Sequence, residues 1–238
     1  RVIRAADLVS HALADIARQA RARPAVPRGM DPRHALERFH ADAQPIAWSG
    51  ARALLDGRTR GLVIAGPPRS GRSHLAEGLA IRAAQALESG AVVIYARAQD
   101  IARDLDRAWS TRSEWALRER LAAASLLVVD DVDQTYRMPA TTRLIADTLR
   151  IIERDGGRWC VVLRAGPRAP DALRSVLLGG LIARTHAYTR DDMLAILRAR
   201  GARLDDESRA RLERIADRAR DIVEALAMAR AMTMGDDR

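Results

Sequence analysis

GLVIAGPPRSGRSHL, residues Gly61–Leu75, decides the fold. Gly61–Gly66 is an apolar run without polar alternation, the mark of a strand buried on both faces. It stops at a glycine–proline turn. From Arg72 the apolar residues return at helical spacing, which predicts a helix over Arg72–Glu88 closed by Gly90. A strand that passes through a glycine-bounded loop straight into a helix is suited to hold phosphate. Glycines let backbone N–H groups converge on phosphate oxygens, and the helix adds the positive end of its dipole. Gly66, Pro67, Pro68, Arg69, Ser70, Gly71, Arg72 and Ser73 match G-x-x-x-x-G-K-[ST] at every fixed position but one, where Arg72 stands for lysine. With His74, these are the candidate cofactor-binding residues, and Ser73 is placed to hold Mg2+. Arginine keeps the charge of lysine but is forked and bulkier, so the exchange is not conservative.

Beyond the loop, apolar runs alternate with helical patterns. Ala91–Ala96, Ser125–Asp130, Arg158–Arg164 and Ala183–Tyr188 read as strands, with helices over Ala98–Trp109, Ser113–Ala124 and Ala140–Arg154. This predicts an α/β fold: a parallel five-stranded sheet covered by helices, followed from Thr189 by a small all-helical unit. The expected division is 1–45, an N-terminal helical segment and linker; 46–188, the α/β core; and 189–238, the helical unit. Within the first part, residues 1–22 read as a helix with an apolar stripe through Val2, Ile3, Val9, Leu13 and Ile16. Ala22–Pro32 reads as a linker, and a short helix is expected around His34–Ala43. LLVVDDVDQ, Leu126–Gln134, ends a buried strand in two carboxylates. Asp130 is the expected Mg2+ partner, directly or through water. Asp131 is the candidate that orients or activates an attacking water.

The motifs resemble, in order, those of the AAA+ ATPases of the DnaA/Hda/DnaC clade, bacterial replication initiators and their regulators. GPPRSGRSHL (Gly66–Leu75) is similar to their GPxGxGKTHL, LLVVDDVDQ to LLIDDIQ, LRSVLLGGLI (Leu173–Ile182) to LRSRFxxGLI, and ARDIVEAL (Ala219–Leu226) to NVRELEGAL. The resemblance implies a P-loop AAA+ module that binds ATP or ADP with Mg2+. The C-terminal helices would form a lid whose Arg220 contacts phosphate. Ala98–Ala124 would be the initiator-specific insertion. Three departures imply weak hydrolysis: Arg72 for the loop lysine, Val176 for the arginine finger, and Arg164 or Gly166 where a polar sensor residue ends the fourth strand. Arg174 or Arg184 would have to replace the finger. An arginine finger is worth several orders of magnitude in rate.

The chain contains no lysine and no asparagine, so every long cationic side chain is arginine, and the net charge is +9. A positive excess favours anionic partners such as nucleotide or nucleic acid. Arg103, Arg107 and Arg112, with Trp109 and Trp115, suggest a surface for single-stranded DNA. The favoured alternative is that Asp104, Asp106, Glu114 and Glu119 neutralise this face and the tryptophans lie in the core. No helix-turn-helix domain follows the lid here, so sequence-specific duplex binding is not expected. The layout is closest to Hda-like regulators, which implies docking on another AAA+ replication protein, initiator or loader. The N-terminal helix either packs on its own core or recruits helicase or sliding clamp. A single cysteine excludes a disulfide framework, and no apolar run spans a membrane. Asp7 and Asp15 argue against a transit peptide, and a cytoplasmic location is expected.

Overall fold

β1 (Gly61–Gly66) is laid down between β4 (Arg158–Arg164) and β5 (Leu181–Arg184) in a computed structural model that describes residues 30, 34–86, 91–164, 169–200 and 206–233. With β2 (Val93–Arg97) and β3 (Leu126–Asp130), they form one sheet in the order β2-β3-β4-β1-β5, every pair parallel. Parallel neighbours need a crossover, and helices supply it. α1 (Pro45–Leu55) precedes β1, and α2 (Arg72–Ala86) follows it. α3 (Ala98–Ser110) and α4 (Glu114–Ala122) lie between β2 and β3. α5 (Pro139–Arg154) leads to β4, and α6 (Asp171–Leu177) to β5.

The sheet strands alternate between two apolar layers. Leu62, Ile64, Val128 and Val162 face α1 and α2, with Leu54, Leu75 and Leu79. Val63, Val129, Trp159 and Val161 face α3 to α6, with Leu105, Leu144, Leu149 and Leu173. Burial on both faces is what unbroken apolar strands require. A third apolar cluster holds α7 (Arg190–Arg200), α8 (Asp206–Arg218) and α9 (Ile222–Thr233) together through Leu194, Leu197, Leu212, Ile215 and Ile222.

β1 and β4 have the bounds expected from sequence. α1 was not expected. Its buried residues Ala47, Ala51 and Leu54 recur at helical spacing, and Pro45 occupies the first turn, but the small apolar side chains and the Ser49–Gly50 pair mask the pattern. The helix expected around His34–Ala43 is instead two 3-10 turns, Leu36–Arg38 and Ala41–Ala43. β5 lies two residues earlier than the expected start at Ala183. Past Arg184 the Gln44 side chain takes over the pairing, donating to the His186 carbonyl (2.7 Å) and accepting its N–H (3.1 Å). The expected N-terminal helix over residues 1–22 lies outside the described residues. So do Gly90, Gly166 and all of the expected linker except Met30, which is buried. Among the described residues no helix is long and apolar enough to cross a membrane.

Candidate functional site

Because all strands are parallel, their carboxyl ends meet at one edge, where α/β sheets bind ligands. The register sets Gly66 beside Arg164 and Arg97 beside Asp130. The loop from Gly66 to Arg72 is pinned from beneath. Ser70 is fully buried; its hydroxyl donates to the Pro67 carbonyl at 2.8 Å and lies 2.6 Å from Thr185 Oγ1. Gly66 permits this approach, since a Cβ there would collide with the Thr185 hydroxyl and carbonyl. Gly71 has φ +82°, and a Cβ on it would strike the Tyr188 hydroxyl. Pro67 and Pro68 carry no N–H, so the donors of a phosphate cradle run from Arg69 to Ser73.

Arg72 opens α2 and is buried, with 7% exposure. Its Nη1 has no hydrogen-bond partner among the described residues. Burial pulls the guanidinium below its usual range, while Asp131, Asp130 and Asp133 oppose that shift. A buried donor left unmade is costly, more so on a charged group. An oxyanion at the glycine loop would satisfy it, so the residues present fit a phosphate.

Asp130 is 1% exposed at the end of β3. Its Oδ2 accepts the Tyr95 hydroxyl at 2.8 Å, and its Oδ1 accepts the Asp131 N–H at 2.8 Å. Tyr95 also approaches Glu77, which binds His34 Nδ1 at 2.7 Å. Sequence reasoning missed this Asp130–Tyr95–Glu77–His34 chain, whose members come from β3, β2, α2 and the N-terminal segment. Asp131 follows in the left-handed region, φ +54°. Burial raises its carboxyl above the ordinary range, and Asp130 and Asp133 push the same way. Asp133 is bound by Arg164, through the backbone N–H at 2.9 Å and Nε at 2.8 Å. The position where a polar sensor side chain was sought therefore holds an ion pair.

The loop opens into a cavity of about 450 Å³ walled by Phe39, His74, Tyr188 and the α9 residues Ile222, Val223 and Leu226. That is the ordinary size of a small-molecule site. Phe39 stacks on Trp48 at 6.0 Å and meets His74 edge-on at 5.5 Å. Arg220 does not line it. This arginine is 88% exposed and held by Glu224, at 2.8 Å from its N–H and 3.3 Å from Nε. Val176 is buried in the layer formed with Leu173 and Leu177, so an arginine there would carry its charge into the core. Of the two alternatives, Arg174 pairs with Asp171, and Arg184 is exposed without an ion pair among the described residues.

On α3 and α4, Arg103, Arg107 and Arg120 pair with Asp100 and Asp104, and Arg118 pairs with Glu114. Of the four carboxylates expected to neutralise this face, Asp104 and Glu114 do so, joined by Asp100; Asp106 and Glu119 form no ion pair among the described residues. The tryptophans, however, are not in the core: Trp109 and Trp115 are 49% and 59% exposed. Helical spacing alone did not reveal which side of each short helix the sheet covers.

The profile of the family described as IstB-like ATP binding protein matches residues 45–164. Over 174 residues the chain is 32% identical to the chromosomal replication initiator protein DnaA of Caulobacter vibrioides (strain NA1000 / CB15N), covering 70% of this chain and 34% of that protein. It thus spans about a third of the length of that relative. A solved structure of the replication initiator DnaA bound to AMPPCP and single-stranded DNA matches with TM-score 0.75 and 18% identity, over 86% of this chain and 66% of the other. The DnaC helicase loader matches with TM-score 0.53 and 14% identity, over 65% of this chain and 99% of the loader. At these identities the structural likeness establishes the fold, a P-loop AAA+ module.

Asp131 supplies a direct test of the electrostatics. A carboxyl raised above its ordinary value is penalised once charged, so stability is lost as pH rises through and beyond the ordinary carboxylate range near 4. Asp131→Asn keeps a side chain that tolerates the left-handed region and removes the charge. It should raise the unfolding temperature at neutral pH, with the gain shrinking as pH falls towards about 4. Scanning calorimetry across that range checks it, and a loss of stability at neutral pH would contradict the assignment.

Proposed function

Since the chain belongs to the family of IstB-like ATP binding proteins, we propose that its loop Gly66–Ser73 binds ATP or ADP with Mg2+ and that it serves as an accessory or regulatory factor of replication initiation. The observation that carries the nucleotide site is the buried Nη1 of Arg72, unpartnered among the described residues beside the glycine loop and within the field of Asp131 and Asp130. Residues 46–188 are the nucleotide-binding core and 189–238 its lid. The backbone from Arg69 to Ser73 and the Arg72 side chain would hold phosphate. Ser73 and Asp130 would hold Mg2+, which supplies charge neutralisation when bound. Among the described residues no group of three or more His, Cys, Asp or Glu is placed for a metal. Phosphate oxygens and water would therefore complete its shell.

Hydrolysis by the isolated chain is weak. Arg72 lacks the compact charge of lysine, Arg164 is engaged by Asp133, and Val176 is in the core. Docking on another AAA+ replication protein is the mode of action this favours. Ile46, Leu181 and Ile182, 65%, 43% and 46% exposed, line one shallow apolar pocket between α1 and β5 and support such a surface. Exposed apolar side chains gathered in one place are typical of interaction sites.

A second reading, a DnaC-like helicase loader that grips single-stranded DNA, is favoured by the outward tryptophans. Arg103 and Arg107 are tied to carboxylates. Arg112 between the two helices has no such partner among the described residues and sits at φ +54°. Trp109, Trp115 and Arg112 are thus the expected contact residues, with Arg103 and Arg107 adding charge alongside.

Two measurements test these readings. Calorimetry should show binding of both ATP and ADP, lost in Arg72→Ala, with turnover well below about 1 per second. No heat at millimolar nucleotide would support instead a degenerate AAA+ scaffold without nucleotide chemistry. Fluorescence anisotropy with labelled oligonucleotides should show binding that weakens about tenfold in Trp109→Ala/Trp115→Ala, as loss of base stacking does. An unchanged affinity would remove the loader reading.

A further inference from the structure

Phosphate loop and lid are joined by an ion pair between residues 152 positions apart, Arg69 Nη1 and Asp221 Oδ2. Asp221 is well placed to hold a partner. Its side chain is only 16% exposed, and its other oxygen caps α9, accepting the N–H of Val223 at 2.9 Å and of Glu224 at 3.1 Å. Arg69 keeps 62% of its side chain exposed and lines the cavity with Gly71 and Arg72. Lid residues Ile222 and Val223 form the facing wall. Arg220, the neighbour of Asp221, turns away to Glu224. Arg69 also holds φ +60°, in the left-handed region where a Cβ is disfavoured and glycine is not. A strained residue kept at the mouth of a cavity suggests that its side chain has work there.

The geometry points to Arg69 as a phosphate-binding side chain, beyond the backbone of its loop, and to Asp221 as the lid residue that positions it, so that the charge of a bound nucleotide reaches the lid through Arg69. This rests on the nucleotide-binding reading above. A guanidinium presents five N–H donors in a fixed fork. Asp221 engages Nη1, which leaves Nε and Nη2 for a phosphate oxygen. The polarity is the reverse of a lid that extends its own arginine to the phosphates: the cation belongs to the loop and its anchor to the lid. A nucleotide that engages Arg69 draws on a side chain already fixed to α9, and lid and loop are then held by one bridging cation. Ligands with a phosphate tail depend on this bridge, and the bare nucleoside does not.

The test uses Arg69→Gly, Asp221→Asn and the double variant. Glycine relieves the positive φ, so it does not weaken binding by spoiling the loop. Asparagine keeps the helix cap and removes the negative charge. Dissociation constants for ATP, ADP and adenosine are measured by calorimetry, with unfolding temperatures of the ligand-free proteins alongside. Arg69→Gly should leave the unfolding temperature within a few degrees and weaken ATP and ADP about tenfold, as loss of a charge-assisted contact does, with adenosine unchanged. Asp221→Asn should show the same pattern to a smaller degree, and the double variant should be no worse than Arg69→Gly, because the two residues act as a unit. If the unmodified chain binds ATP and Arg69→Gly binds it equally well, the role of Arg69 is overturned while the nucleotide site stands. If the unmodified chain binds no nucleotide, both fall together.

Discussion

Two opposite charges lie where water barely reaches, Asp130 at the end of β3 and Arg72 at the start of α2, and the residues around them keep them there. Burying a charge is tolerated only with partners. Asp130 has them: the Tyr95 hydroxyl and the Asp131 N–H each take one carboxylate oxygen. Arg72 has the fields of Asp131, Asp130 and Asp133 but leaves Nη1 without a partner among the described residues. The parallel sheet makes this possible. It delivers every strand's carboxyl end to one edge, and the Ser70–Thr185 contact fixes the loop that presents Arg72.

Two of the departures from the family pattern, Arg72 and Arg164, are coupled. Arg164 at the end of β4 would repel Arg72 across the site, and Asp133 neutralises it with two contacts. Asp133 in turn raises the Asp131 carboxyl. Arg164 and Asp133 are thus occupied with one another, whereas the Asp131 carboxyl is held by no side chain among the described residues. That pairing agrees with the weak hydrolysis proposed above. In the lid, Asp221 makes the join to the loop and Arg220 stays in solvent.

The strands were legible because burial on both faces writes itself as unbroken apolar runs, and β1 and β4 were readable to the residue. The strand–loop–helix passage through Gly66 and Gly71 was legible because the loop motif restricts residue type at its fixed positions. α1 was not, since alanines at Ala47 and Ala51 carry little apolar signal. The end of β5 was not, since a side chain 142 positions away, Gln44, replaces the ladder there. The motif around Arg220 located a backbone position but not a side-chain direction, which depends on Glu224 one helical turn later. The Arg69–Asp221 pair and the outward Trp109 and Trp115 are products of tertiary arrangement alone.

The central claim is that Arg72 Nη1 is reserved for a phosphate. A crystal structure of the chain grown with ADP and Mg2+ measures this most directly. The account predicts a phosphate oxygen within about 2.7–3.2 Å of Nη1, the loop N–H groups from Arg69 to Ser73 turned towards the phosphates, and the metal between Ser73 and Asp130. A cavity without nucleotide, with Arg72 folded onto the carboxylates of Asp130 and Asp131, would contradict it.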